Sequence, residues 1–598
     1  MKKVLPISLL LLMTAFLIFE DKKPERPTAP ITEGCVFCHA KVNDSDPSHP
    51  VSAFGCYSCH LGNPYSIDKK RAHFAIVRNP GDLRIVERTC GRPGCHADIV
   101  TRVKNSVMAT NIGILDTLQF HWLNIKKAGT EVRDLIGENP PYNLAIDHYR
   151  KMCGGCHLWK ERGDRPGEIG LRGGGCSDCH VLDEGKKGVV EGERFDHPKM
   201  TIRIPSENCV KCHNRSARIG LSYFGRLESA GYGTPYEGRD LSARRLSGNR
   251  FFLHLEAGIH FSKAGMECID CHTAIGVMGD GRRYHEMKEQ LDITCEACHI
   301  PLISVVSEGE SLAKRLVSLN KKIPKIEGDR IAYSKRGTPL YNLRKQGEKL
   351  IFFRKMDGHA IEMKNTSSNE PHHSLQGHRR LSCQACHSSW MPQCYGCHLS
   401  YRRSGRQVDW FTRKETPGRW KEARSYLRFS KPALGFKDPG TIFPIAPCQV
   451  FISVFDKQDN YQKDLSFNIF SMSAFDPHTT SKKSRGCIEC HGDPKSVGLG
   501  EGILNLREGK WGFRPTYDSA SSHDGVSFPL DGFVDLNGKA FLTTVQEGIR
   551  PFNREEIERI LSVNACLGCH REYKDKIYQD FHKAKRRFET ESGLPCQR

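Results

Sequence analysis

The stretch Cys383-Gln-Ala-Cys386-His387-Ser-Ser-Trp-Met-Pro-Gln-Cys394-Tyr-Gly-Cys397-His398 contains two C-x-x-C-H units that are only six residues apart. In each unit a histidine directly follows the second of two cysteines. This pattern is typical of a c-type haem attachment site, where both cysteines form thioethers with the porphyrin and the histidine binds the iron. Because the tether is so short, the two porphyrins are predicted to lie nearly in contact.

The same unit recurs along the whole chain. Eleven copies are C-x-x-C-H, and a twelfth, Cys90-Gly-Arg-Pro-Gly-Cys95-His96, is a C-x4-C-H variant whose two glycines relax the longer loop. In chain order the units are motif 1 (Cys35, Cys38, His39), motif 2 (Cys56, Cys59, His60), motif 3 (Cys90, Cys95, His96), motif 4 (Cys153, Cys156, His157), motif 5 (Cys176, Cys179, His180), motif 6 (Cys209, Cys212, His213), motif 7 (Cys268, Cys271, His272), motif 8 (Cys295, Cys298, His299), motif 9 (Cys383, Cys386, His387), motif 10 (Cys394, Cys397, His398), motif 11 (Cys487, Cys490, His491) and motif 12 (Cys566, Cys569, His570). We therefore expect about twelve covalent haem c groups.

A zinc knuckle or a thiol redox pair is the alternative interpretation of any one cysteine pair. A zinc knuckle needs a second ligand pair at regular spacing, and neither alternative requires a histidine directly after the second cysteine. All twelve pairs have that histidine, which favours haem. Two of the 26 cysteines, Cys448 and Cys596, lie outside the motifs. We interpret them as a buried thiol and a C-terminal thiol, with a disulfide between them as the alternative.

The formal charge of +20 would ordinarily indicate nucleic acid or an anionic membrane as a partner. Twelve haems, however, carry on the order of two dozen propionate charges at neutral pH. Many of the 89 Lys and Arg residues are therefore interpreted as propionate partners, and no nucleic-acid partner is predicted. With about 50 residues per haem in a chain of 598, the porphyrins would also supply much of the apolar interior.

The N-terminus has the features of an export signal. Lys2 and Lys3 precede an apolar run over residues 4–19, but the acidic and basic residues 20–23 make a poor cleavage site. A cleaved signal and a retained membrane anchor both remain open. Since haem is attached to such motifs outside the cytoplasm, we expect a periplasmic, outer-envelope or extracellular protein. No later stretch approaches 18 consecutive apolar residues.

The motif spacing divides the chain into four parts. Residues 1–34 are the signal or anchor with a Pro-rich linker, 35–299 an eight-haem region, 300–382 a haem-free insert, and 383–598 a four-haem region. The predicted fold class is a haem-organised multihaem cytochrome c, mostly irregular and α, with small antiparallel β inserts in the C-terminal half. The longest helical pattern covers residues 97–137.

The inserts carry strand and hairpin signals. Residues 330–334, 339–343, 350–356 and 360–364 are separated by glycine turns and predict an antiparallel meander. Two more strands are predicted at residues 449–455 and 466–472, and a hairpin at 533–544 around Asn537-Gly538. A capping box of Asn553 and Glu556 predicts a helix that leads into motif 12.

Fifteen histidines lie outside the motifs, enough for twelve distal positions. The candidate distal iron ligands are His49, His73, His121, His148, His197, His254, His260, His285, His372, His378, His478 and His582. The weakest candidates are His359, one of His372 and His373, and His523. Met108 is interpreted as a helix-packing residue, although a thioether ligand is the alternative. Lys151 or Lys263 could also reach an iron.

With these twelve motifs and its many spare histidines, the chain resembles the large multihaem c-type cytochromes of metal-respiring bacteria. The resemblance covers roughly residues 35–570. It implies electron transfer along a chain of haems, no catalytic residue, and redox partners such as other cytochromes, an outer-membrane porin or a quinol oxidase complex. One alternative is an oxidoreductase similar to the hydroxylamine oxidoreductase, nitrite reductase and tetrathionate reductase group, with one open iron, although the C-x-x-C-K site of nitrite reductases is absent. Another is a homo-oligomeric, filament-forming wire subunit.

Overall fold

The computed structural model describes residues 33–40, 42–163, 170–182, 197–214, 219–229, 244–246, 250–306, 311–327, 330–363, 375–516, 526–544 and 546–591. The apolar run at residues 4–19, Cys596, and the candidate histidines His372, His373 and His523 lie outside the described residues. Within the described ranges, no helix combines the length and the apolar character needed to cross a membrane.

The described residues from Gly34 to His299 form mainly short helices and one small sheet. Their bounds are α1 Gly34–Cys38, α2 Val51–Phe54, α3 Tyr57–His60, α4 Lys69–Ala72, α5 Ala97–Asn105, α6 Val107–Thr110, α7 Ile112–Leu123, α8 Leu144–His148, α9 Cys176–His180, α10 Ser206–Val210, α11 Ile219–Tyr223, α12 Ile259–Ser262, α13 Cys268–Cys271, α14 Ala274–Met278, α15 Met287–Gln290 and α16 Glu296–His299. A π-helix spans Tyr149–Cys153, and 3-10 turns span Val86–Arg88 and Val132–Leu135. Strands β1 Arg226–Ser229, β2 Arg244–Leu246 and β3 Arg250–His254 form one small sheet in the order β1-β3-β2.

The helical pattern predicted over residues 97–137 is divided among α5, α6 and α7. Ser106 separates the first two because its backbone is extended, with ψ at 152°. Asn111 separates the next two because it adopts the left-handed conformation, with φ at 50°. The pattern does not continue as α-helix beyond Leu123, since Asn124 is also left-handed. Periodic apolar residues predicted the helical faces but not the two breaks between them.

The haem-free insert forms the predicted antiparallel meander with one additional strand. Its elements are β4 Leu302–Val305, helix α17 Ser311–Asn320, β5 Arg330–Tyr333, β6 Pro339–Gln346, β7 Lys349–Phe353 and β8 Ala360–Met363. The five strands follow chain order across the sheet, and every neighbouring pair is antiparallel. The buried side chains of Leu343, Phe352 and Ala332 pack with Met266 and Ala297 from the motif-bearing region.

A six-stranded sheet dominates the C-terminal part. It contains β9 Met391–Val408, β10 Glu415–Ser430, β11 Ala433–Lys437, β12 Thr441–Phe455, β13 Phe467–Ala474 and β16 Ile549–Arg550. The strands predicted at residues 449–455 and 466–472 are present as β12 and β13. The long strands β9 and β10 were not predicted, because residues 399–428 are rich in Arg and lack a clear apolar alternation. This sheet is larger than the small inserts expected from the sequence.

The remaining described elements are helices α18 Cys383–His387, α19 Cys487–His491, α20 Arg554–Ser562 and α21 Phe581–Thr590, the hairpin β14 Gly502–Arg507 and β15 Lys510–Pro515, and 3-10 turns at Gln376–His378, Lys463–Leu465, Val563–Cys566 and Lys576–Tyr578. The Asn553–Glu556 capping box is confirmed at the start of α20. The hairpin predicted at residues 533–544 was wrong in extent, because only a single bridge joins Val534 to Ala540.

One face of the six-stranded sheet packs against the motif-bearing helices. Leu399, Trp420 and Val454 are buried on this face, where they contact Trp122 of α7 and Leu144 of α8. The sheet thereby covers the segment that leads into motif 4. The accessory β region and the motif-bearing region thus share a side-chain core along this contact.

Candidate multihaem site

Seven motifs lie on or beside a short helix that starts at or next to the first cysteine. These are motifs 1, 2, 5, 7, 8, 9 and 11, on α1, α3, α9, α13, α16, α18 and α19. Residues i, i+3 and i+4 of a helix share one face, so a C-x-x-C-H unit wound as a helical turn presents both thiols and the imidazole to the same side. One flat group can then contact all three side chains.

The C-x4-C-H variant keeps the backbone closure of the regular motifs. In motif 7 the amide N–H of His272 donates to the carbonyl of Cys268 at 2.9 Å, and in motif 3 the N–H of His96 donates to the carbonyl of Cys90 at 3.0 Å. Gly94, with φ at +81°, turns the two additional residues outward. The longer loop therefore places its histidine relative to its first cysteine much as the regular units do.

Several motif histidines are oriented by backbone carbonyls. The Nδ1 atoms of His60, His180 and His491 lie 2.8, 2.9 and 2.8 Å from the carbonyl oxygens of Val77, Thr201 and Ile560. A carbonyl oxygen can only accept a hydrogen bond, so Nδ1 must carry the proton and donate it. Nε2 then carries no proton and keeps its lone pair for a metal. This is the arrangement of a metal-binding histidine.

Six candidate distal histidines each lie opposite a motif histidine, and the distance between the two rings is nearly the same in every pair. The ring centroids are 6.2 Å apart for His73 and His39, 6.1 Å for His49 and His96, 5.8 Å for His197 and His60, 6.0 Å for His260 and His299, 6.2 Å for His478 and His272, and 6.2 Å for His378 and His491. Two imidazoles that bind one metal from opposite sides, each through a nitrogen at about 2 Å, have centroids about 6 Å apart. Six independent pairs thus match bis-histidine ligation.

The partners were not those closest in sequence. His378, His260 and His478 each precede a motif by five to nine residues, yet each faces the histidine of a different motif. Residues that lead into a motif approach the side of its own cysteines, whereas the distal ligand must come from the opposite side. A neighbouring segment supplies it, which no sequence spacing reveals.

The other candidate distal histidines have different surroundings. Among the described contacts, His121 packs against Phe120, His148 against Trp420, and His285 lies 3.1 Å from a carboxylate oxygen of Asp116. His582 is exposed, and His254 lies at the end of β3. The structure does not bring His121, His148, His285 or His582 to the 6 Å spacing with a motif histidine.

Of the alternative ligands from the sequence, Lys151 is paired, Lys263 is exposed and Met108 lies at the cavity wall. The buried ammonium of Lys151 lies 2.8 Å from Asp147 and 3.0 Å from the carbonyl of Gly418, so it is already paired. Lys263 is exposed at the end of α12. Met108 lies within α6 and lines the large cavity described below.

Motif cysteines contact one another between motifs. Thiols hydrogen-bond between motifs 1 and 2 (Cys35, Cys56), 4 and 6 (Cys156, Cys212), 6 and 7 (Cys209, Cys268), and 8 and 9 (Cys295, Cys383). Four further cysteines have a raised pKa, for which burial is the main cause and the charge of a nearby thiol the second. They are Cys59 near Cys95, Cys176 near Cys90, Cys271 near Cys298 and Cys386 near Cys490. The amide of Asn208 bonds the Cys179 carbonyl at 2.7 Å and joins motifs 5 and 6. Tyr578 lies beside Cys487 and Cys566 and joins motifs 11 and 12.

These contacts arrange the motifs in a definite order. One continuous run passes through motifs 1, 2, 3, 5, 6, 7, 8, 9, 11 and 12, and motif 4 forms a side arm from motif 6. The order departs from the chain order only where motifs 4 and 10 are bypassed. Each motif of the run therefore lies near its neighbours.

A single cavity of about 5620 Å³ runs through the motif-bearing region. Ordinary ligand sites are roughly 300–1,000 Å³, so this space would hold several large cofactors. Its walls carry thiols and imidazoles from motifs 2 to 9 and 11, together with five of the six paired distal histidines. The cavity therefore lies where the motifs would place their haems.

The pKa shifts of two imidazoles suit a metal ligand, and those of two thiols do not suit thiol redox chemistry. Burial lowers the pKa of His272 to about 3 and of His260 to about 4, so both imidazoles are neutral at pH 7, as a metal ligand must be. Burial raises the pKa of Cys179 and Cys271 to about 12. Reactive redox thiols have lowered pKa values, so these thiols are not of that kind.

Motif 10 is the exception, because its five residues lie in strand β9. Neighbouring residues of a strand point to opposite faces. The Cys397 thiol lies 3.7 Å from a Glu422 carboxylate oxygen, while the His398 ring stacks on Phe451 at 5.1 Å. Gly396, with φ at +61°, occupies a bulge. In this conformation Cys397 and His398 do not fit a single haem.

Two kinds of site residue escaped the sequence analysis. The carbonyls of Val77, Thr201 and Ile560 are backbone groups without a residue signature. Arg485 is buried beside the thiols of Cys386 and Cys490, and its Nε has no hydrogen-bond partner among the described residues. No feature of the sequence distinguishes Arg485 from the other Lys and Arg residues, which number 89 in total. A buried cation with spare donors between two motifs suits a haem propionate.

No family model, curated protein or solved structure matches this chain. The assignment of the site therefore depends on its own residues and geometry. The features that fit haem c are three imidazoles oriented by carbonyls, six motif histidines that face a second histidine, and the thiols of motifs 2 to 9 and 11 along the cavity.

Proposed function

We propose that the chain carries c-type haems at its motifs and relays electrons along the run from motif 1 to motif 12. The observation that carries this proposal is the set of six histidine pairs at the spacing of bis-histidine iron, arranged along one run of contacting motifs. When bound, haem supplies one-electron chemistry between Fe(III) and Fe(II). We further propose that the protein acts outside the cytoplasm, in the periplasm or outer envelope, with other redox proteins as partners.

The chain contributes three things to this relay. At the six paired sites both imidazoles would hold the iron, so no position would remain there for a substrate. The carbonyls that accept from Nδ1 orient the rings and raise their basicity, which favours the ferric state. Contacts between motifs keep each group beside the next, so the relay needs no domain movement.

Intact mass and electron capacity test the proposal together. The purified protein should contain eleven or twelve haems, and a reductive titration should consume one electron per haem. A sample purified after export that contains no covalent haem would contradict the proposal. Replacing Cys90 and Cys95 by Ala should remove one haem if motif 3 is used, and the pair Cys394 and Cys397 provides the same test for motif 10.

An oxidoreductase with one open iron is the second candidate, and His157 of motif 4 favours it. This imidazole is 5% exposed, neither ring nitrogen has a hydrogen-bond partner in the part of the chain that the structure describes, and its described ring contact is Phe411 rather than a histidine. Carbon monoxide added to the dithionite-reduced protein distinguishes the two functions. A stoichiometric spectral shift on one haem, with turnover of nitrite, hydroxylamine or tetrathionate, would replace the relay by an enzyme. An unchanged spectrum supports the relay.

A further inference from the structure

The side arm at motif 4 reaches the protein surface through the tip of one hairpin. Residues 409–414 connect β9 to β10, and this tip packs directly on motif 4. The Phe411 ring stacks on the His157 imidazole, with centroids 4.7 Å apart and planes 17° apart. The Trp410 indole lies over Gly155, and its N–H donates to the carbonyl of Lys151 at 3.0 Å. Both aromatic rings are half-buried, so they bridge the motif and the surface.

A buried ion pair holds this tip on the motif. Arg150 donates to both carboxylate oxygens of Asp409, at 2.7 and 3.1 Å, and both side chains are less than 10% exposed. Asp409 also accepts from the backbone N–H of Phe411 at 2.9 Å. A bidentate pair of this kind fixes position as well as charge. The tip is therefore a fixed cover of motif 4.

The surface of the same hairpin is strongly basic. Residues 402–421 contain seven Lys and Arg residues but only two acids, one of which is the buried Asp409. The exposed cations are Arg402, Arg403, Arg406, Arg413, Lys414, Arg419 and Lys421. Arg413 pairs with Glu161 and Arg402 with Asp459, so part of the charge is compensated within the protein. The excess remains positive.

Two of these cations oppose each other directly. Arg402 on β9 and Arg419 on β10 are cross-strand partners, and like charges in that position destabilise a sheet. Charges on β10 could protect an exposed sheet edge from pairing with other chains. Arg402, however, lies on β9, which is flanked by β10 and β12. Edge protection does not account for it. Asp459, 3.0 Å from Arg402, offsets part of the repulsion, and an anionic partner that docks over the pair would offset the rest.

We propose that the β9–β10 hairpin is an electron port that docks an acidic redox protein over motif 4. This inference depends on the proposed relay, since it assumes a haem at motif 4. Each productive encounter moves one electron. One iron of the side arm is oxidised from Fe(II) to Fe(III), and one one-electron acceptor of the partner is reduced, with no bond made or broken. Opposite surface charges accelerate the encounter.

Inorganic complexes of opposite charge serve as probes of the port. The fully reduced protein is mixed with hexacyanoferrate(III), an anion, or tris(phenanthroline)cobalt(III), a cation, and haem oxidation is followed by stopped flow. The test variant carries Arg402→Gln, Arg419→Gln and Lys421→Gln, which relieve rather than create strand repulsion. The control variant carries Lys314→Gln, Lys349→Gln and Lys510→Gln, three exposed lysines elsewhere with the same total charge change.

At 0.01 M ionic strength we expect the test variant to react about tenfold more slowly with the anion, and no more slowly with the cation. The difference should disappear at 1 M salt, where screening extends over only about 3 Å. The control variant should keep the wild-type rate. A reduced acidic [2Fe–2S] ferredoxin mixed with the oxidised protein should give the same ranking for haem reduction.

Two other outcomes would contradict the port but not the relay, and a third would contradict both. If the test and control variants react equally, the hairpin is not the port, although unchanged haem content and electron capacity leave the relay standing. If the variant loses binding to anionic lipid vesicles while its oxidation rates stay unchanged, the basic face serves a membrane. Wild-type protein without covalent haem would contradict the relay itself.

Discussion

The motif-bearing region and the β regions of this chain obtain their interiors in different ways. Residues 35–299 hold eight motifs among helices of at most twelve residues around the large cavity. This region has two buried side-chain clusters, one of them around Leu115, and its cofactors would complete the rest of its interior. The meander buries Leu343 in a core that it shares with the first region, and the six-stranded sheet has a cluster of its own that includes Ile445 and Met472. Folding of the two regions should therefore depend differently on haem.

Withholding haem should produce the largest effect. In protein made without haem attachment, amides of residues 35–299 should lose protection from hydrogen exchange by roughly 1000-fold, or about 4 kcal/mol. Amides of β6, β7, β12 and β13 should remain protected, because these strands retain their side-chain cores. Hydrogen-exchange mass spectrometry of both forms checks this. Equal loss of protection in both regions would show that the β regions also depend on haem.

A matched pair of core substitutions sharpens the contrast. Leu343 in the meander and Leu115 in α7 are both 0% exposed. In the haem-loaded protein each Leu→Ala change should lower the free energy of unfolding by about 2–5 kcal/mol. In the haem-free protein only Leu343→Ala should still lower the free energy of unfolding, which urea denaturation measures. A comparable loss for Leu115→Ala without haem would mean that the helical region has an independent core.

A buried carboxyl in the C-terminal part gives a pH-dependent test. Burial raises the pKa of Asp531 from 3.8 to about 6, so the folded protein binds this proton more tightly than the unfolded chain does. The resulting stabilisation is complete below about pH 4 and is lost as the pH rises to about 6. Asp531→Asn should remove up to about 3 kcal/mol of that pH dependence, while the exposed Asp464→Asn leaves it unchanged. Urea denaturation from pH 4 to 7 measures it.

Replacing one distal ligand should have the smallest energetic effect. His478 faces His272 with nearly parallel rings, 2° apart, so His478→Met would give one histidine–methionine iron. Methionine ligation raises the potential. One component of a spectroelectrochemical titration should rise by at least about 59 mV, a tenfold change in its equilibrium constant. The exposed His582→Met should leave the potential of every component unchanged. If His478→Met also changes no potential, His478 is not an iron ligand.

The sequence predicts a cofactor type and number because the chemistry is local, and haem c stays a prediction. A thiol pair and a histidine within five residues react with one group, so their spacing is sufficient. The meander and the α20 capping box were likewise predictable, since turn glycines and the Asn553–Glu556 pair act over a few residues. The breaks at Ser106 and Asn111 and the long strands β9 and β10 were not.

The sequence alone determined which residues could hold haem, whereas only the tertiary structure decided how they are connected. His478 faces His272 across more than 200 residues of chain, and Cys212 contacts Cys156 rather than a thiol of the next motif. Such pairings depend on where separate segments pack, and no local pattern encodes that distance. The basic hairpin shows the same division. Its charge is evident from residues 402–421, but its place over His157 follows from the packing of the β9–β10 tip on motif 4.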